Sequence, residues 1–96
     1  MTTILRVEHT VSNFDDWKKV FDTDPLGRKK SGVRRYRIMR QIDNASFVML
    51  DLEFDDQKEA EAFAAKLRNL WVSAQGQKLM QFPQLRIVDP IESKEL

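Results

Sequence analysis

Two stretches with the two-residue period of half-buried strands lie close enough to form a hairpin between Val33 and Phe54, and no other feature limits the fold as tightly. In the second stretch Val48, Leu50, Leu52 and Phe54 share one face, while Met49, Asp51 and Glu53 share the other. In the first, Tyr36 and Ile38 alternate with Arg35, Arg37 and Met39. A tight connection near Asp43, Asn44 and Ala45 is predicted to join them. Keeping the apolar faces together sets Ile38 opposite Leu50, Arg37 opposite Asp51 and Arg35 opposite Glu53. A slip of one residue would mix the faces, so the in-phase register is the expected one.

The other elements follow by the same reading. Leu5, Val7, His9 and Val11 alternate with Arg6, Glu8 and Thr10, which predicts a strand over Ile4 to Val11 with His9 on its apolar side. Ser12 or Asn13 can cap a helix from Phe14 to Asp22, where Phe14, Trp17, Val20 and Phe21 form the apolar stripe. Residues 24–32 read as a polar loop. Asp55 or Asp56 caps a longer helix over roughly 57–75, with Glu59 placed for a capping box and with Phe63, Leu67, Leu70, Trp71 and Ala74 on its core face. Gly76 suits its C-cap. Leu79 to Pro83 reads as an apolar crossover, and Leu85 to Asp89 as a last strand stopped by Pro90.

The order strand, helix, strand, strand, helix, strand predicts an α+β chain of the ferredoxin-like βαββαβ type. Its antiparallel sheet carries both helices on one face. The opposite face collects Arg6, Glu8, Arg35, Arg37, Met39, Met49, Asp51, Glu53, Arg86 and Val88. Methionines and a valine among those charges suggest cover by a second copy of the chain. An open face with ordinary cross-strand ion pairs is the alternative.

At 96 residues the chain is read as a single domain spanning 1–96. It has no cysteine and one histidine, which removes disulfides, thiolate chemistry and multi-histidine metal sites from consideration, and no metal is expected. The first residues lack the pattern of a signal peptide and no apolar run spans a bilayer, so a soluble cytoplasmic protein without membrane contact is the expectation. Net charge is +1, which gives no overall pull toward nucleic acid.

His9 is the one side chain whose ordinary pKa lies near neutrality, and an imidazole aimed into an apolar pocket can serve as a general base. A lone histidine on an apolar face is more often a packed core residue. Tyr36 could donate a hydrogen bond to a carbonyl, or could simply be core. Trp17, Phe63, Trp71, Met80 and Phe82 are candidates to line a pocket for a flat apolar ligand, although residues at helical spacing are mostly core. Seven basic residues fall between Arg28 and Arg40, but six acidic ones between Asp51 and Glu61 face them across the hairpin. Only Arg28, Lys29, Lys30 and Arg34 lack obvious partners. A solvated loop is the default reading there, and an anionic ligand entrance the remote one.

The stretch Val7-Glu8-His9-Thr10-Val11, with Asn13-Phe14, Trp17-Lys18 and Phe21-Asp22, resembles the opening of small proteins of the dimeric α/β barrel superfamily, the antibiotic-biosynthesis monooxygenase-like domains in particular. Val48 to Phe54, the Asp-Asp pair and the alanine-rich helix ending in Leu70-Trp71 extend the likeness. The resemblance implies a homodimer whose sheets meet face to face in a barrel, with a pocket in each protomer between sheet and helices. The superfamily includes cofactor-independent oxygenases of aromatic compounds, haem-degrading enzymes and isomerases, and the resemblance does not select among them. Together with the inward-facing His9 it leads to the expectation of small-molecule binding, with cofactor-independent oxygenation or isomerisation of an aromatic or quinone-like compound as the candidate chemistry, His9 as base and Tyr36 as polarising donor. The haem-degrading branch also has a tryptophan on the second helix, but no histidine follows Trp71 here, so no cofactor is expected. A non-catalytic dimeric module that binds a metabolite or a protein is the alternative.

Overall fold

The computed structural model describes residues 2–73 and 80–96. Four strands and two helices follow in the expected order: β1 (Thr3–Thr10), α1 (Phe14–Asp22), β2 (Arg35–Gln41), β3 (Asn44–Phe54), α2 (Gln57–Trp71) and β4 (Gln81–Val88). The strands form one antiparallel sheet in the order β2-β3-β1-β4, which is the ferredoxin-like arrangement.

The hairpin register is the in-phase one. Ile38 stands opposite Leu50, Arg37 opposite Asp51 and Arg35 opposite Glu53. The chain turns at Ile42 and Asp43, just before the expected connection, and an irregularity between Arg40 and Gln41 takes up the extra residues of β3. Leu5, Val7, Leu50, Leu52 and Phe54 pack with Ala60, Phe63, Ala64 and Leu67 of α2, while Val11 and Val48 pack with Trp17 of α1 in a second cluster. Local chemistry fixes the helix starts. Asn13 accepts the Asp16 N–H at 3.0 Å and Asp56 accepts the Glu59 N–H at 2.8 Å, each satisfying a first-turn donor that has no partner within its helix.

Two boundaries differ from the sequence reading. α2 ends at Trp71 with Val72 as its cap, short of residue 75, while the expected stripe member Ala74 and cap Gly76 fall outside the described residues. β4 begins at Gln81, so Phe82 and Pro83 belong to a strand rather than to a crossover. Pro83 is tolerated because β4 is an edge strand, where a missing N–H breaks no ladder on its open side. The pairing moves from Glu8↔Gln84 to Thr10↔Gln81, which sets two residues, Phe82 and Pro83, against His9. The bulge holds Phe82 at φ 54°, in the left-handed region, and the residue is 83% exposed.

On the face away from the helices Arg6 makes a two-pronged bond to Asp51, both contacts at 2.8 Å, and Arg86 reaches Glu8 at 2.8 Å. Arg35 and Glu53 stand 3.8 Å apart. Asp51 therefore pairs with β1 rather than with Arg37, its neighbour across the hairpin, and this holds the Arg6 guanidinium above its ordinary pKa. Ile4, Met39, Phe47 and Met49 lie half-buried among these charges.

Candidate functional site

An apolar cleft lies between the inner face of the sheet and the two helices. Its atom-free space, open in part to solvent, amounts to about 720 Å³. β1 contributes Val7 and His9, β3 contributes Leu50 and Leu52, and α1 contributes Trp17, Val20 and Phe21. α2 adds Phe63, Leu67, Leu70 and Trp71, Met80 closes one end, and Asp24, Pro25, Leu26 and Arg28 come from the loop after α1.

His9 reaches the cleft because strand alternation turns it inward beside Val7 and Val11. It is 1% exposed, and its Nδ1 has no hydrogen-bond partner among the described residues. The indole Nε1 of Trp71, also buried in the cleft, has none either. Such atoms are uncommon in folded proteins because each unpaired buried group costs about 1–3 kcal/mol. Burial pushes the His9 pKa down to about 4, with the backbone of Thr10 acting more weakly in the opposite direction. The imidazole is therefore neutral at pH 7, with one nitrogen able to accept a hydrogen bond.

One wall of the cleft is a run of stacked groups. The His9 ring lies 5.3 Å from Trp17, Trp17 stacks on Phe21 at 5.2 Å, and the Arg28 guanidinium sits 3.9 Å above Phe21. Arg28 also lies 5.0 Å from the ring of Tyr36 and donates from Nη1 to the Phe21 carbonyl at 2.7 Å. Asp24, at φ 55°, accepts the Arg28 backbone N–H at 2.9 Å, and its carboxylate stands 3.6 Å from Arg28 Nε. The loop thus holds Arg28 at the cleft from several directions.

Of the residues singled out in the sequence, His9, Trp17, Phe63, Trp71 and Met80 come together in this cleft. Phe82 points outward on the bulge and Tyr36, 45% exposed, packs edge-on against Phe21 at 5.1 Å; neither lines the cleft. The β3 partners of His9 and Tyr36 are Val48 and Leu52, four residues and roughly 13 Å of strand apart, so the two do not face one reacting atom. In the sequence Arg28 stands out only as a loop cation without an obvious partner, with a solvated loop the default and an anionic ligand entrance the remote reading; its place at the cleft, and that of Asp24, is a finding of the structure. Arg34, read there as free, pairs with Asp55. Among the described residues no group of three or more histidine or acidic side chains is placed to hold a metal ion, and no helix is long and apolar enough to cross a membrane.

No family model matches the chain, and no curated protein matches it. Solved structures do. SnoaB, a cofactor-independent oxygenase from Streptomyces nogalater, superposes with a TM-score of 0.76 at 13% identity, over 96% of this chain and 95% of that one. A protein from Nitrosomonas europaea that carries the antibiotic biosynthesis monooxygenase name matches at 0.66 and 13% identity, over 94% of this chain and 90% of its own. The fold is that of the antibiotic-biosynthesis monooxygenase-like proteins. A dimeric ferredoxin-like protein from an uncultured marine organism matches at 0.62 and 16% identity, over 97% and 98% of the two chains. At these identities the likeness is one of fold, and a fold of this kind does not by itself select a reaction.

Proposed function

We propose that this chain is a homodimer that binds a flat, mainly apolar aromatic compound in the cleft of each protomer. The observation that carries the reading is that two residues lining an otherwise apolar cleft, His9 and Trp71, each hold a buried polar atom, Nδ1 and Nε1, without a partner among the described residues. An indole N–H donates only, whereas a neutral imidazole both donates and accepts. A ligand bearing a hydroxyl and a carbonyl or second oxygen would satisfy both groups once a small side-chain shift opens these buried atoms to the cleft, and the aromatic walls would take up its rings. Dimerisation through the outer sheet face is supported by its half-buried Met39, Phe47 and Met49 and by the dimeric state of the marine neighbour.

Cofactor-free oxygenation or isomerisation is the chemistry such a cleft would support, in line with the fold shared with SnoaB. His9 would remove the proton of a hydroxyl or an activated C–H; in oxygenation the resulting anion would pass its electrons to O2, one oxygen atom ending as a carbonyl and the other as water, and in isomerisation the proton would return at another carbon. The depressed pKa limits this role. Moving a proton from an ordinary phenol, of pKa about 10, to an imidazole of pKa about 4 costs about 8 kcal/mol at about 1.36 kcal/mol per pH unit. A substrate for this base is therefore a quinol or enol acidified by a conjugated carbonyl. The same depression favours a second reading, a non-catalytic binding module in which His9 only accepts a hydrogen bond.

The test is a thermal-shift screen of the purified protein with phenols, quinols, quinones and polyketide-like aromatics, followed by oxygen uptake with any hit. Stabilisation that is lost in His9→Gln supports the cleft reading. Turnover that survives His9→Gln removes His9 from the chemistry, and uniform silence from a well-folded protein refutes the reading.

A further inference from the structure

Arg28 is an unusual residue to find lining an apolar cleft. Its side chain is 16% exposed, stacked over Phe21 and held by the Phe21 carbonyl, and its Nε is too far from Asp24 for a hydrogen bond. A guanidinium carries five N–H groups, and among the described residues only one of them has an acceptor at hydrogen-bond distance. The stack on Phe21 and the backbone bond of the same residue to Asp24 fix the fork in place, so little rotamer entropy remains to be lost when an anion docks.

We infer that the ligand of the cleft is an aromatic carboxylate, its rings lying along Trp17 and Phe21, its hydroxyl end at His9 and its carboxylate at Arg28. The inference rests on the cleft being the ligand site and adds the chemical class. The stacked wall sets the scale: steps of 5.3, 5.2 and 3.9 Å lead from the imidazole to the guanidinium, which suits a body of two or three fused rings. Asp24 partly offsets the cation, so recognition depends on the two-pronged geometry of guanidinium and carboxylate more than on net field.

Calorimetric titration of the wild-type protein with 2-naphthol and with 6-hydroxy-2-naphthoate tests this directly. The two probes share rings and hydroxyl and differ in the carboxylate. The carboxylate is expected to bind at least tenfold tighter, and Arg28→Gln to bring the two affinities within about twofold of each other. Arg28→Lys keeps a cation without the planar fork and should reduce the preference, which provides a second variant if Arg28→Gln does not fold. Equal affinity of the wild-type protein for the two probes, or a preference unchanged in either variant, overturns the inference while leaving the cleft reading in place. Failure of both probes to bind overturns the cleft reading and this inference with it.

Discussion

Acidification from pH 7 to pH 4 should remove about 3 kcal/mol of stability through His9 alone. The folded protein holds this imidazole at a pKa of about 4, below its ordinary 6.5, because burial disfavours the cation. The unfolded chain therefore binds more protons between those two values, and stability falls as pH drops through that window. At about 1.36 kcal/mol per pH unit the interval is worth about 3 kcal/mol, a large share of the 5–15 kcal/mol typical of a domain. Acidic side chains titrate in the same range, so the comparison is between the wild-type protein and His9→Gln, each unfolded in urea at fixed protein concentration from pH 7 to 4. The difference between their unfolding free energies should shrink by about 3 kcal/mol against the wild type, with most of the change between pH 6 and 4. A difference that stays constant within about 0.5 kcal/mol would show that His9 is not buried as a neutral group, and the base and acceptor roles would both have to be abandoned.

Other outcomes follow from single contacts. Trp71→Phe removes an unpaired indole N–H, so the free protein should lose less than about 1 kcal/mol in urea unfolding while ligand affinity falls roughly tenfold. Phe82→Gly relieves a left-handed φ at an 83% exposed residue and should raise stability by up to about 1 kcal/mol; a loss of more than that would mean the ring is packed in solution. Phe54→Ala, at a residue 1% exposed beneath α2, should cost about 3–5 kcal/mol. Met49→Glu sets a charge beside Met39 on the outer face and should halve the mass seen by light scattering if that face joins two protomers; an unchanged dimer would place the interface elsewhere.

The hairpin and α1 were legible because each rests on short-range chemistry. The alternation from Val48 to Phe54 admits one register against Tyr36 and Ile38, and Asn13 and Asp56 are caps that write helix starts into the sequence. β4 was legible only in part. Pro83 marks a strand end unless that strand is known to lie at the sheet edge, and sheet order is a long-range property. The cleft residues on regular elements, His9, Trp17, Phe63 and Trp71, were visible through period and type. Arg28 was visible only as an unpartnered cation in a loop read by default as solvated, because its placement at the cleft depends on Asp24 adopting a left-handed φ and on a ring contact seven residues back, neither of which has a periodic signature. Arg37 shows the same limit at the surface, since the hairpin register set Asp51 opposite it and the third strand supplied Arg6 instead.

The most direct measurement follows the two indole N–H resonances of 15N-labelled protein, assigned with Trp71→Phe, during titration with 6-hydroxy-2-naphthoate. A saturable downfield shift of the Trp71 indole proton is expected as it gains an acceptor in the cleft, with saturation lost in His9→Gln. Indole resonances that stay unmoved at millimolar ligand, in a protein that remains folded, would contradict ligand binding in the cleft.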